Sequence, residues 1–240
     1  MKSRHLFFVL LLLLAACGSE ARRPRTAVTS PPAVKTTEAV AGIPVSGGDA
    51  TRGAETAYVT IVVFEDLLSA RSAELGAVLD KLREKYTWEL LRVVVKHHPS
   101  PEHAHAKFAA TAGQGVLASK GPDAFFRFRD EISRQKSATP ESIRKAALAT
   151  GMTPADFEAG LEKGAWTEKV EKDVSLAKGL GVNEAPASFV NGIPLTGVPS
   201  LDVAKDTIEV ELAKARVLER SGIPRKAIYD QAVAANFADP

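Results

Sequence analysis

The sequence predicts an α/β fold that carries an inserted all-helical subdomain. Three observations lead there. Two β-branched apolar runs, Tyr58 to Phe64 and Trp88 to Lys96, flank a single amphipathic helical pattern. From Pro101 to Gly181 there is no strand pattern, only successive amphipathic segments. Beyond them, two short apolar runs are joined by Asn191 and Gly192, the dipeptide that best specifies a tight hairpin, and a last amphipathic helix follows.

At the start of the chain, Lys2 and Arg4 precede an unbroken apolar run from Leu6 to Leu14 that ends in LAAC. This is the pattern of a secretory signal with a lipobox, residues 1–16, cut before Cys17. The run is shorter than the roughly 20 residues a membrane-spanning helix needs. Diacylglycerol on the Cys17 thiol, with a further acyl chain on its amine, would supply the more than one chain that stable anchoring requires. The expected first partner is therefore the lipid bilayer, reached through Cys17. Gly18, where an aspartate would favour inner-membrane retention, points to the outer membrane. Residues 17–40, rich in Ser, Thr, Pro and Arg without an apolar period, read as a disordered tether.

Composition narrows the functions. Cys17 is the sole cysteine, so the chain can form no disulfide of its own. With 31 basic and 29 acidic side chains spread along the sequence, nothing predicts a nucleic-acid partner. The remaining length suits one domain with a substantial core, or a domain with an insertion. No internal repeat or coiled-coil heptad is evident.

The ordered domain is expected over residues 41–220. The segment Ile43 to Val45 could add an edge strand before a glycine-rich turn. Tyr58 to Phe64 is apolar on both faces and reads as central and parallel. A helix follows from about Ser69, with Leu75, Val78, Leu79 and Leu82 inward, and then the strand Trp88 to Lys96. Such a βαβ unit crosses over right-handedly. The helical insertion, about residues 101–181, holds His103 to Leu117 and Ala124 to Arg134, with Phe125, Phe126 and Phe128 as packing residues. Two helices start with a hydroxyl residue ahead of Pro140 and Pro154, and Trp166 to Leu180 ends at Gly181. The hairpin Ala187 to Val190 and Ile193 to Thr196, the helix Leu201 to about Arg220, and a C-terminal extension over 221–240 complete the chain. Strand, helix, strand, helical insertion, hairpin, helix is the order of the thioredoxin fold with an inserted helical domain.

The residues resemble one family of that fold, the DsbA-like thiol-disulfide oxidoreductases. VTIVVFEDLLSARS is similar to the family's VTIVEFSDFQCPFC, and GVNEAPASFVNGIPLTG to its GVSGTPTFFINGRPLSG, while KHHPSPEHAHAKFAATA matches the segment after the second strand. On this resemblance the catalytic Cys-x-x-Cys falls on Ser69, Ala70, Arg71 and Ser72. Both sulfurs are missing. The family reaction needs a thiolate at a helix N-terminus and a second thiol one turn on to resolve the mixed disulfide, and a serine hydroxyl can do neither. The acid that many relatives bury beneath the cysteines falls on Val63, while Glu65 and Asp66 read as solvated carboxylates at a strand end. The resemblance also places a cis-proline at Pro186 after Ala185. There the family offers backbone to an extended peptide, so Ala185 and Pro186 with Ser69 and Ser72 are the expected peptide-binding residues.

Other chemistry has less to stand on. His97, His98, His103 and His105 cluster, but no cysteine or carboxylate spacing supports a closed metal site, and no metal or cofactor is expected. A Ser69 hydrolase lacks the G-x-S-x-G elbow. The expectation is a lipid-anchored envelope protein facing the periplasm that has lost redox activity and binds an extended peptide or an envelope protein. The alternative is an enzyme of the superfamily, either a thiol-disulfide oxidoreductase by family or a glutathione-transferase-like activity resting on Ser69.

Overall fold

The computed structural model describes residues 42–135 and 137–238. The signal, Cys17 and the tether expected over 17–40 lie outside the described residues. In chain order the elements are β1 (Ala50–Arg52), β2 (Val59–Glu65), α1 (Ala70–Lys85), β3 (Leu91–His97), α2 (Ala106–Lys120), α3 (Pro122–Ser133), α4 (Pro140–Ala149), α5 (Pro154–Glu162) and α6 (Ala165–Gly179). The hairpin β4 (Ala187–Val190) and β5 (Ile193–Leu195), then α7 (Leu201–Arg220) and α8 (Ile228–Ala238), complete the described chain.

The strands form one sheet in the order β1-β3-β2-β4-β5. β2 pairs parallel with β3, as the βαβ unit requires, and antiparallel with β4. All seven residues of β2 are buried, because helices cover both faces of the sheet. Val59, Ile61 and Val63 pack on Leu75, Leu79 and Leu82 of α1 and on Ile208 and Leu212 of α7. Val62 and Phe64 point the other way, onto Ala177 of α6 and Tyr229 and Val233 of α8. The fold is a thioredoxin fold with α2 to α6 inserted between β3 and β4, and the insertion has its own core around Phe125, Phe126 and Phe128.

The hairpin turn does more than reverse the chain. Asn191 and Gly192 have φ of 45° and 92°, the left-handed pair of a type I′ turn. The Asn191 side chain, fully buried, accepts from the Thr60 N–H at 2.8 Å and donates to the Tyr58 carbonyl at 3.2 Å. It thereby continues the β2 ladder past the last residue of β4.

Two expectations are corrected. Ile43 to Val45 is not the edge strand, which lies at Ala50–Arg52, antiparallel to β3. Pro44 has no N–H to give a ladder, and Ile43 is instead buried in the core, its carbonyl accepting from the Tyr229 hydroxyl at 2.6 Å. The segment after residue 220, expected only as an extension, carries α8, which covers the sheet face built from Val62, Phe64 and Val94.

A four-charge cluster, three of its members buried and Lys169 at its partly exposed edge, joins sheet and insertion. Lys96 of β3 lies 2.9 Å from Asp49 and 3.7 Å from Asp173, and Lys169 lies 2.8 Å from Asp49 and 2.6 Å from Asp173. Two cations face two anions, and the remaining acceptor capacity is used: Asp49 accepts from the Ser46 N–H at 2.7 Å and Asp173 from the His97 N–H at 3.1 Å. Burial alone would raise the Asp49 carboxyl, but Lys96 and Lys169 hold it below its ordinary value. Removing one member of such a group strands an uncompensated charge in a low-dielectric site. Lys96→Met should therefore lower the unfolding free energy by about 3–5 kcal/mol in urea denaturation. The pair Lys96→Met with Asp49→Asn should recover a good part of it. A single-mutant loss below about 1 kcal/mol, the range of exposed pairs, would mean that water reaches the cluster.

Candidate functional site

The junction between β2 and α1 is built by four polar side chains. Ser69 is the N-cap of α1, in extended conformation, and its hydroxyl accepts from the Ser72 N–H at 3.4 Å. Serine is among the best residues at this position, contributing roughly 1 kcal/mol relative to alanine. Ser72 is buried and its hydroxyl accepts from the Asp66 N–H at 3.3 Å. Ala70 and Arg71 between them are exposed. An N-terminus of this kind would stabilise an anion, but Ser69 and Ser72 bring hydroxyls that stay protonated at neutral pH.

Glu65 and Asp66 are not solvated, contrary to the reading from sequence. They are 2% and 1% exposed, because α3 and the segment after β3 fold across the end of β2. Asp66 Oδ1 accepts from the Leu68 N–H at 2.8 Å, while Oδ2 accepts from the Ser100 N–H at 2.9 Å and lies 2.7 Å from His103 Nδ1. One carboxylate thus ties the α1 junction to the loop that opens the insertion. The signal available in sequence was local: an aspartate two residues before an N–H it can bond.

Glu65 lies on the same face of β2 as Val63, by the two-residue period of a strand. Its Oε1 has no hydrogen-bond partner among the described residues, and Oε2 is 3.9 Å from Arg129 of α3. Burial pushes this carboxyl up, with Arg129 opposing. Arg129 reaches it by crossing Gly76 of α1, where a Cβ would stand 2.9 Å from the guanidinium. A small polar cavity of about 240 Å³ opens here, bordered by Glu65, Ser72, Gly76, Arg129 and Asp130. Ser72 borders it; Ser69 does not.

The second part of the site is on the hairpin side. The Ala185–Pro186 peptide bond is cis, and Pro186 is buried with Ala185 half-buried. The β4 ladder begins at Ala187, so the Ala185 backbone lies outside it. Beside Pro186 is a cavity of about 420 Å³ whose walls include Leu180, Val182, Phe189 and Leu195. Arg71 borders the same cavity and leans over Gly197, where φ is +60° and a Cβ would stand 2.8 Å from the guanidinium. The structure therefore brings the start of α1 and the cis-proline turn to one cavity, through Arg71 rather than through Ser69 or Ser72.

The histidines are dispersed in role. His97 is buried against Phe125, with Nε2 3.2 Å from Gln114 Oε1. His98 is half-buried, His103 bonds Asp66, and His105 is the residue before α2 in left-handed conformation. Among the described residues no group of three or more His, Cys, Asp or Glu is placed to hold a metal ion.

Comparison with known proteins gives concordant findings. The family model of the DSBA-like thioredoxin domain matches residues 54–209. The chain is 26% identical over 191 residues to Disulfide bond formation protein D of Bacillus subtilis, covering 73% of this chain and 82% of that protein. It is 32% identical over 167 residues to the Na(+)/H(+) antiporter NhaA of Herminiimonas arsenicoxydans, covering 69% of this chain but only 26% of the antiporter, so it spans about a quarter of that relative's length. Among the described residues no helix is long and apolar enough to cross a membrane. The crystal structure of oxidised BdbD from Bacillus subtilis superposes with a TM-score of 0.63 at 24% identity, covering 73% of this chain and 98% of that one.

Burial lowers the His97 imidazole to about 4, against an ordinary value near 6.5. Between those two pH values the unfolded chain takes up a proton that the folded chain refuses, so stability falls as the pH is lowered from about 6.5 to about 4. The contribution is of order 3 kcal/mol. Glu65, with its raised carboxyl, acts in the opposite sense, so the informative quantity is the difference between wild type and His97→Gln. That difference in unfolding free energy should change with this sign across the window. A pH-independent difference would show that His97 is protonated in the folded state.

Proposed function

The chain belongs to the DSBA-like thioredoxin domain family, and from that premise we propose that it is a lipid-anchored member whose redox chemistry is gone. Its remaining role is to hold an extended peptide, or a segment of an envelope protein, beside the cis-proline turn. The observation that carries this reading is that neither of the family's two active-site positions holds a thiol. The sole cysteine is Cys17, and the family's dithiol positions hold Ser69 and Ser72. Thiol-disulfide exchange needs a thiolate and a partner sulfur. Here one hydroxyl caps a helix and the other accepts the Asp66 N–H.

Binding by contrast needs only what remains. The cavity beside Pro186 is walled in part by Leu180, Val182, Phe189 and Leu195 with Arg71, Asn183 and Glu184 among its polar borders, and the Ala185 backbone is outside the ladder, an arrangement suited to adding an extended segment by main-chain hydrogen bonds with side chains in pockets. Ala185 and Pro186 would be the principal contacts, with Arg71 a closer neighbour of the ligand than Ser69 or Ser72. An enzymatic reading based on Ser69 has less support, since the polar cavity is bordered by Ser72 instead and the Ser69 hydroxyl already serves as a cap. The basic start, apolar run and LAAC support cleavage before Cys17, acylation there, and residues 17–40 as a tether in the envelope facing the periplasm, with Gly18 favouring the outer membrane.

Two experiments test the parts separately. In the Cys17→Ser chain, reduction of insulin disulfides should stay at the buffer rate, while S-alkylated insulin B chain should bind saturably. Thr196→Arg, an exposed residue on the cavity wall, should weaken that binding about tenfold, equivalent to about 1.4 kcal/mol. Disulfide reduction above the buffer rate would overturn the redox-dead reading, and binding indifferent to Thr196→Arg would move the peptide elsewhere. For the anchor, Cys17→Ser should shift the protein from the membrane to the soluble fraction with unchanged circular dichroism. Retention on membranes through a high-salt wash would overturn lipidation as the anchor.

A further inference from the structure

The exposed large apolar side chains among the described residues are Trp88, Val203, Val210 and Val217. Trp88 is covered by the Arg83 guanidinium, 4.8 Å from its ring centre. The other three, each 53% to 55% exposed, stand seven residues apart on α7. They lie opposite Ala204, Ile208, Leu212 and Ala215, which attach α7 to the domain. Exposed Ala213 lies between the last two, so the outer face of this helix is itself apolar along its centre line. A seven-residue repeat drifts around a straight helix by about 20° per heptad, which a left-handed crossing of about 20° absorbs.

The charges beside the stripe identify its occupant. Exposed Asp202, Asp206 and Glu209 fill the first half of α7, and exposed Lys214, Arg216 and Arg220 the second. Some already have local partners: Asp202 with Lys205, Lys214 with Glu211, and Glu209 with the Tyr86 hydroxyl. Asp206, Arg216 and Arg220 have no ion-pair partner among the described residues. A second α7 running parallel would set Asp206 against Asp206 and Arg220 against Arg220. Running antiparallel, it sets each acidic half against a basic half while Val210 and Ala213 meet across a two-fold axis. We propose that a second copy of this chain docks on the outer face of α7, antiparallel, through Val203, Val210, Ala213 and Val217. This is the self-complementary surface that a two-fold dimer needs. The helix has 20 residues and so is about 30 Å long. A strip of that length and one helix wide is at the small end of specific interfaces, so the dimer is concentration-dependent.

The test is sedimentation velocity of the full chain carrying Cys17→Ser, over a concentration series up to millimolar. A dimer should form, weaken as salt is raised, and lose about tenfold or more in association constant with either Val210→Glu or Ala213→Arg. Both sites are exposed, and circular dichroism checks that both variants stay folded. In the same background, Ala213→Cys should cross-link to itself near the axis and Val203→Cys should not. A chain that remains monomeric throughout, a dimer indifferent to both substitutions, or self-cross-linking at Val203→Cys in preference to Ala213→Cys would each overturn the proposal.

Discussion

The charge cluster of Asp49, Lys96, Lys169 and Asp173 is the constraint on which the rest of the arrangement depends. It fastens α6, the last helix of the insertion, to β3 and to the residue preceding β1. Charges of this kind tolerate little displacement, since a lost partner leaves an ion without solvent. With α6 held, the residues that follow it, Leu180 and Val182, are delivered to the cavity beside Pro186. With the insertion held, α3 lies over the end of β2, and Glu65 and Asp66 are buried there. The candidate site is thus bounded on two sides by an insertion whose position is set some distance away.

The exchange of sulfur for oxygen at the start of α1 is nearly free of structural cost. A serine at an N-cap performs the capping a helix requires, and a buried hydroxyl that accepts the Asp66 N–H is satisfied as well. The two groups differ in reactivity: an alcohol, unlike a thiol, has no accessible anion at neutral pH and no reversible bond to a partner sulfur. Chemistry and fold separate cleanly here. The scaffold has a cis-proline turn with a cavity beside it, and a buried acid, Glu65, two residues beyond Val63 on the same face of the strand.

How far the site could be read from the chain differs residue by residue. Ser69 to Ser72 and Ala185–Pro186 were marked by the resemblance to the family, because its two motifs there are short and contiguous in the chain. Asp66 was half legible: its bond to the Leu68 N–H is local, but Ser100 and His103 arrive from another loop. Glu65 was misread, because a carboxylate at a strand end is solvated unless something covers it, and Arg129 is 64 positions away in sequence. The stripe on α7 was hidden for the converse reason, since a helix in an α/β domain can be covered on either face.

By itself the sequence determined whatever depends on short-range periodicity and turn chemistry: both central strands, α1, the capped helices at Pro140 and Pro154, and the Asn191–Gly192 hairpin. These follow from one or two turns of chain, where sterics and local hydrogen bonds act. Tertiary structure alone decided which strand forms the edge, that α8 closes the second face of the sheet, that four charges meet, and that Glu65 is dry while Val210 is wet. Each of those is a matter of what comes to lie against a residue from elsewhere in the chain. Burial and charge pairing act through space, so no local pattern encodes them.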